Sequence, residues 1–242
     1  MVKMDILTLD IKGVGLALVM ALIMLYLGGP LLGSFYIFVM IYFLVISAIV
    51  THVGTKYKKR IRQYQKTRGI KNVIANGLGP LIFVVLAHFQ AFDLSGTVYT
   101  FAFMASVAAV TADKFSSELG VLDGEPTSIV TFKKVEKGTS GGVTLFGIGM
   151  GVLGAFLIAI VSALVFFLFN PILFGCPQSG CDVVPLLLIL LIVAACAGGF
   201  FGTISDSYLG YFEERGIGNK YTSNFVCSII GALAGFAIVV LI

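Results

Sequence analysis

Asp113, Ser116, Ser117 and Glu118 stand within six residues of one another in a chain that is only 12% charged. On a helix, Asp113 and Ser117 are one turn apart and share a face. Asp206 and Ser207 form a second acid–hydroxyl pair much further along. Carboxylates beside hydroxyls are hard-oxygen ligands of the kind Mg²⁺ takes, and magnesium held this way keeps several waters and bridges substrate phosphates. Asp113, Glu118 and Asp206 are therefore candidate catalytic carboxylates. Asp113, Asp206 and Ser117 are candidate metal ligands. Between the two acid groups lie Lys133, Lys134 and Lys137, followed by Gly138-Thr139-Ser140-Gly141-Gly142. A glycine-rich turn before a helix can present backbone N–H groups as an anion nest, and the helix N-terminus adds its positive dipole end. Together these residues are a candidate phosphate- or nucleotide-binding segment.

Other phosphate and metal chemistries are missing. No GxxxxGK[ST], HExxH or CxxC pattern occurs. A nucleotide-dependent reaction here must use a different phosphate cradle. Nothing in the chain points to nucleic acid.

The elements that must position these groups are membrane helices. The chain is 58% hydrophobic with a mean hydropathy of +1.04, whereas a soluble domain is about 25% charged. It reads as an all-α, polytopic membrane helix bundle forming a single domain over 1–242. Apolar runs of roughly 20 residues mark about seven spans, at 11–28, 31–51, 73–91, 97–113, 143–169, 185–208 and 224–242. The connections 52–72, 113–142 and 209–223 then share one side with the N-terminus. All sixteen Lys and Arg residues fall on that side, eight of them in 52–72. The positive-inside rule makes it cytoplasmic, with the C-terminus outside. His52 and His88 fall near opposite faces, which argues against a shared metal site. The basic loop sets topology and touches anionic headgroups; Lys66, Arg68 and Lys71 are its candidates for nucleotide contact. Cys176 and Cys181, in the opposite loop, can form a disulfide or stay free thiols; their spacing alone makes no zinc site. Cys196 and Cys227 fall within helices.

Three spans carry stripes of small residues that end in a polar group: Ala102-Ser106-Ala109-Asp113, Gly198-Gly202-Asp206-Gly210 and Asn224-Ser228-Gly231-Gly235. Small residues let membrane helices approach closely. A carboxylate at that depth must face the bundle interior and find a partner. Asp113, Asp206 and Asn224 are therefore expected to converge at one cytoplasm-facing site. Asn76-Gly77-Leu78-Gly79-Pro80, at the same edge, adds Asn76, with either an unwound turn or a simple kink.

At these residues the chain resembles a known membrane family. DKFSSELG (113–120), TFKKV (131–135) and GTSGGVTLFG (138–147) look like the signature of the family that contains plant phytyl-phosphate kinase. RGIKNVIANG (68–77), GTISDSYLG (202–210) and TSNFV (222–226) resemble its other motifs, in order along nearly the whole chain. The resemblance implies a CTP-dependent kinase, or one using another nucleoside triphosphate, that converts an isoprenyl monophosphate to the diphosphate with Mg²⁺ in the cell membrane. It carries Asp113, Glu118, Lys133, Gly138, Thr139, Ser140, Gly141, Asp206 and Asn224 into the site. Lys114-Phe115-Ser116 stands where the family usually has Thr-Trp-Ala, and Cys227 where Asn often follows. Those departures bear on substrate and nucleotide choice.

Three alternatives remain open on the residues. A prenyl alcohol kinase would need Asp113 or Glu118 as a base. A CTP:lipid-phosphate cytidylyltransferase would use the same metal site and release pyrophosphate. A small-solute or lipid transporter would place its polar groups near the midplane, often with inverted repeats; here they gather at one face.

Overall fold

The computed structural model describes residues 8–65, 67–91, 95–169 and 183–241. Its helices are α1 (Ile11–His52), α2 (Thr55–Arg60), α3 (Ile70–Phe89), α4 (Gly96–Gly120), α5 (Leu145–Phe169), α6 (Val183–Glu213) and α7 (Lys220–Leu241). A two-residue antiparallel pair, β1 (Thr127–Ser128) with β2 (Gly142–Val143), ties the ends of the long polar connection. The protein is an all-α polytopic membrane protein, and five of its helices are long and apolar enough to cross a bilayer. Cys176 and Cys181 lie outside the described residues, as does Lys66.

The first of those five helices is a hairpin. Gly29 takes φ +67°, ψ −173°, and Pro30 follows it without an N–H. A side chain on Gly33 would sit 2.7 Å from the Cα of Leu25. In an unbroken helix those residues would be about 12 Å apart. The chain has therefore turned back on itself, and the limbs 11–28 and 30–52 run antiparallel, as the sequence spans require. Gly28 and Gly33 make the crossing possible, since a Cβ on Gly28 would meet the Gly33 nitrogen at 2.6 Å.

α4 is the hub. It packs on α1, α3, α5, α6 and α7 and is buried without interruption from Tyr99 to Asp113. That explains its modest hydropathy: its surroundings are protein, so alanine, serine and threonine serve where leucine faces lipid elsewhere. On one flank it meets an aromatic cluster in which Tyr36 and Phe103 lie edge to face at 4.7 Å, and the Tyr36 hydroxyl meets Thr100 Oγ1 at 2.8 Å. The outward faces carry exposed Leu18, Leu22, Ile41, Phe156 and Phe201, as a lipid-facing exterior demands.

The helices run past the apolar spans at the polar end. α4 continues through Glu118 to Gly120 and α6 to Glu213, so the connections expected at 113–142 and 209–223 are shorter than the sequence reading has them. Asp113 and Asp206 consequently sit on rigid helix, with further turns beyond them. α3 is continuous across Asn76–Pro80, and no turn unwinds there. Its glycines serve close packing: Gly79 lies against Ser228 and Ser106, and Gly77 against Met20.

Candidate functional site at the polar end of the bundle

The small-residue stripes set the register. A Cβ on Gly198 would meet the Gly231 carbonyl oxygen at 2.6 Å and Ala105 Cβ at 2.7 Å; one on Gly202 would meet Ala109 Cβ at 2.5 Å and the Cys227 oxygen at 3.0 Å. Residues 105 and 109 thus align with 198 and 202, one helical turn per step, so α4 and α6 run parallel. α7 runs antiparallel, with 231 and 227 opposite 198 and 202. One more turn places Asp113 beside Asp206, and Asn224 beside both. The convergence expected from sequence is present, although Ala105 rather than Ala102 makes the α4 contact.

The carboxyl groups of Asp113 and Asp206 are within hydrogen-bonding reach of each other. Two carboxylates so close cannot both stay charged without a shared proton or a shared cation. Asp206 Oδ1 and Asn224 Oδ1 are buried and have no hydrogen-bond partner. Asn224 Nδ2 donates to Asn76 Oδ1 at 3.1 Å, and Asn76 Nδ2 donates to the Asn72 side chain at 2.9 Å. This chain of amides fixes the Asn224 oxygen as an open acceptor. Asp206 Oδ1, the neighbouring Asp113 carboxyl and Asn224 Oδ1 are a hard-oxygen donor set that fits a divalent cation of the Mg²⁺ type. Among the described residues there is no cluster of three His, Cys, Asp or Glu side chains able to hold a metal, so this set depends on the asparagine. Ser117 is exposed, and its hydroxyl donates to the Lys114 carbonyl rather than joining this set.

Glu118 has a different environment from the acid pair. Its Oε2 accepts from Lys58 Nζ at 2.7 Å, and its Oε1 accepts from Arg68 Nη2 at 2.9 Å and from Lys114. Thr51 Oγ1 donates to the same Oε1 at 3.3 Å. Lys58 is completely buried and spends its other two donors on the Val50 and Thr51 carbonyls, 3.0 and 2.9 Å away, at the end of α1. Burial pulls the Arg68 guanidinium below its ordinary pKa, and the charges of Glu118 and Asp113 oppose that. The sequence reading makes Glu118 catalytic; the geometry places it as the anchor of three cations, buried Lys58 and Arg68 and half-buried Lys114.

The Gly138–Gly142 turn lines the same cavity, and three of its five N–H groups are engaged within the protein. Thr139 N–H donates to the Glu136 carbonyl, Gly142 N–H to the Thr139 carbonyl, and Ser140 N–H to Glu214 Oε1 at 2.9 Å. Thr144 Oγ1 accepts from Gly147 N–H at 2.9 Å and caps the start of α5. The turn's glycines answer geometry instead: Gly138 and Gly141 have φ +90° and +79°, and a Cβ on Gly141 would sit 2.7 Å from the Tyr211 nitrogen. The turn is pressed onto the end of α6 and forms one wall.

These parts enclose a cavity of about 360 Å³. Asp113, Glu118, Asp206, Asn76, Asn224, Ser117, Lys137 and Gly138 through Gly142 all line it. Lys133 and Lys134 do not. Both are exposed, and Lys134 pairs at 3.0 Å with exposed Glu125, which lowers that carboxyl's pKa. Lys71 lies outside too, over the Tyr221 ring. The cations that do line the cavity are Lys58, Arg62, Arg68, Lys114, Lys137 and Lys220. Three of them belong to Glu118. Among the described residues, Arg62, Lys137 and Lys220 form no close ion pair, though the charge of Lys220 acts on Asp113 and Asp206. Arg62 and Lys220 were not singled out by sequence reasoning; only their place on the basic side was visible.

The model of a family described as integral membrane protein DUF92 matches residues 2–238. The chain belongs to that family. It is 38% identical over 232 residues, 95% of this chain and 85% of the relative, to an uncharacterized membrane protein of Methanocaldococcus jannaschii. It is also 31% identical over 182 residues to Protein PGR of Arabidopsis thaliana, covering 69% of this chain and 60% of that protein. No solved structure matches it.

Proposed function

We propose that this DUF92 protein is a lipid kinase that transfers the γ-phosphoryl group of a nucleoside triphosphate to an isoprenyl monophosphate. The observation that carries this reading is the cavity itself. Two neighbouring carboxyls and the unpartnered oxygens of Asp206 and Asn224 share one cavity with Arg62, Lys137 and Lys220, at the end of a membrane bundle. Such a site suits a polyanion that arrives with a cation. The choice of CTP as donor and of a phytyl- or geranylgeranyl-type acceptor rests on the resemblance of 113–147 to the phytyl-phosphate kinase family.

In the reaction, an oxygen of the acceptor phosphate attacks the γ-phosphorus. The bond from that phosphorus to the β–γ bridging oxygen breaks, and its electron pair leaves with the nucleoside diphosphate. The acceptor is already ionised, so no general base is required. Asp113, Asp206 and Asn224 would hold Mg²⁺, which when bound neutralises and orients phosphate oxygens. Arg62, Lys137 and Lys220 stabilise the charge spread over the transferring group, which is where catalysis of this class gets most of its effect. Glu118 holds Lys58, Arg68 and Lys114 in place and touches no reacting atom. The positive-inside rule puts this face in the cytoplasm, where the nucleotide is.

The test is incubation of the purified, detergent-solubilised protein with Mg²⁺, CTP and geranylgeranyl or phytyl monophosphate, with products identified by mass spectrometry. Prenyl diphosphate with CDP is the expected result. A CMP-linked lipid with pyrophosphate would make the protein a cytidylyltransferase using the same site. No turnover, with ATP and the free alcohols also supplied, would overturn the enzyme reading and favour transport.

A further inference from the structure

A second cavity, about 240 Å³ and almost wholly apolar, runs between the two limbs of α1 and the side of α3. Its walls include Met20, Met24 and Met40 with Ala17 and Ala21. Methionine and alanine make a smooth, adaptable wall with few fixed shape demands. Gly77 adds room, since a Cβ there would crowd Met20 Cε at 3.0 Å. Leu18 and Ile41, 61% and 51% exposed on the outer face, stand at its mouth. The groove is continuous with the polar cavity: Phe43, Arg68, Asn72 and Asn76 line both. Polarity changes abruptly at those four residues.

We propose that this groove holds the hydrocarbon tail of a lipid phosphate whose headgroup occupies the polar cavity. The assignment rests on reading that cavity as a lipid-phosphate site. The apolar lining and its continuity with the polar cavity select the occupant, a chain that is apolar along its length and anionic at one end. The wall from Ile37 to Ser47 is about 15 Å of helix, half of a bilayer's hydrocarbon core. A single aliphatic chain fits, enters sideways past Leu18 and Ile41, and delivers its phosphate at Arg68 and Asn72. Tails longer than the groove run out through the same mouth into lipid, so the site grips the head-proximal part of the chain and leaves its far end free.

The test uses farnesyl monophosphate bearing a mid-chain diazirine, photolysed on the purified protein with no nucleotide present, and the labelled peptides mapped by mass spectrometry. Label within 14–24 and 37–47, displaced by unlabelled farnesyl monophosphate, is expected. Ala21→Phe should lower that label about tenfold, the equivalent of losing roughly two methylenes of apolar contact. Ala17→Leu, one turn nearer the polar end, should lower it less and serves if the first variant misfolds. Label confined to outward residues such as Phe200 and Phe201, or groove label that farnesyl monophosphate cannot displace, would overturn the assignment. Labelling needs no turnover, so displaceable groove label without kinase activity would keep the tail site and remove the kinase reading. Prenyl diphosphate formation without groove label would do the reverse.

Discussion

Replacing Glu118 with glutamine separates an anchoring role from a catalytic one. The substitution keeps shape and removes one charge, leaving Lys58, Arg68 and Lys114 around a neutral amide. Lys58 is fully buried, and the Arg68 and Glu118 side chains are 8% and 10% exposed, so solvent screens little of the change. Removing one partner of a buried pair costs about 3–5 kcal/mol, chiefly because the remaining charge is uncompensated. For a domain of this size that is a melting shift of about 6–20 °C downward. The exposed Glu125–Lys134 pair provides the contrast, since Glu125→Gln should move the midpoint by little, a surface pair being worth about 0–1 kcal/mol. Unfolding can be followed by reaction of a thiol dye with Cys227, which is completely buried in the folded protein. Lys58→Met in the Glu118→Gln background should recover part of the loss, because a buried cation is replaced by an apolar side chain of similar volume. A midpoint within about 2 °C of wild type, together with lost turnover, would refute the anchoring role and restore Glu118 as a catalytic group.

Other outcomes follow from the same geometry. Asp113→Asn or Asp206→Asn should abolish turnover without lowering the melting point, and titration calorimetry with Mg²⁺ should show the binding heat lost; full activity in either variant would remove that residue from the mechanism. Lys133→Ala should leave the nucleotide KM unchanged, whereas Lys137→Ala should raise it about tenfold, as expected for a lost charge-assisted contact of roughly 1.5 kcal/mol; equal effects would place the phosphates outside this cavity. Gly202→Leu should prevent stable folding, read as early dye access to Cys227, because overpacking costs about 1–3 kcal/mol even where the neighbours can move and here they are a backbone oxygen and Ala109. A stable Gly202→Leu protein would mean that α4, α6 and α7 do not pack in the register given above.

Much of the architecture was legible because bilayer physics writes it plainly. Apolar runs give the spans, the break between 11–28 and 31–51 included, and lysine and arginine mark one end. The acid–acid–amide convergence was legible too, since small residues every fourth position dictate which faces meet. What stayed hidden depended on pairing across distance. Lys58 looks like any of the eight bases in its loop, and only the fold shows it buried against a carboxylate 60 residues away. The Gly138–Gly142 turn reads as an open nest until Glu214, 74 residues on, is found on the Ser140 amide. Lys133 and Lys134 read as equivalent to Lys137, yet two residues of extended loop turn them out to solvent. The glycines of α3 suggested an unwound turn because their packing partners, Met20 and Ser228, lie on other helices.

The Glu118 anchor also has a consequence for the order in which the protein is made. Lys58 and Arg68 stand 60 and 50 residues before Glu118 and leave the ribosome ahead of it. During that interval they are unpaired cations flanking the hairpin, and a cation there holds its end of the hairpin on the basic side of the membrane. Once α4 has entered the bilayer, Glu118 neutralises them and draws them inward against the Val50 and Thr51 carbonyls. The same two side chains thus act first as orientation signals for a nascent hairpin and then as buried struts of the cavity wall. A chain arrested before Glu118 would hold a correctly oriented hairpin with no cavity, so the site comes into being only when the central helix closes it.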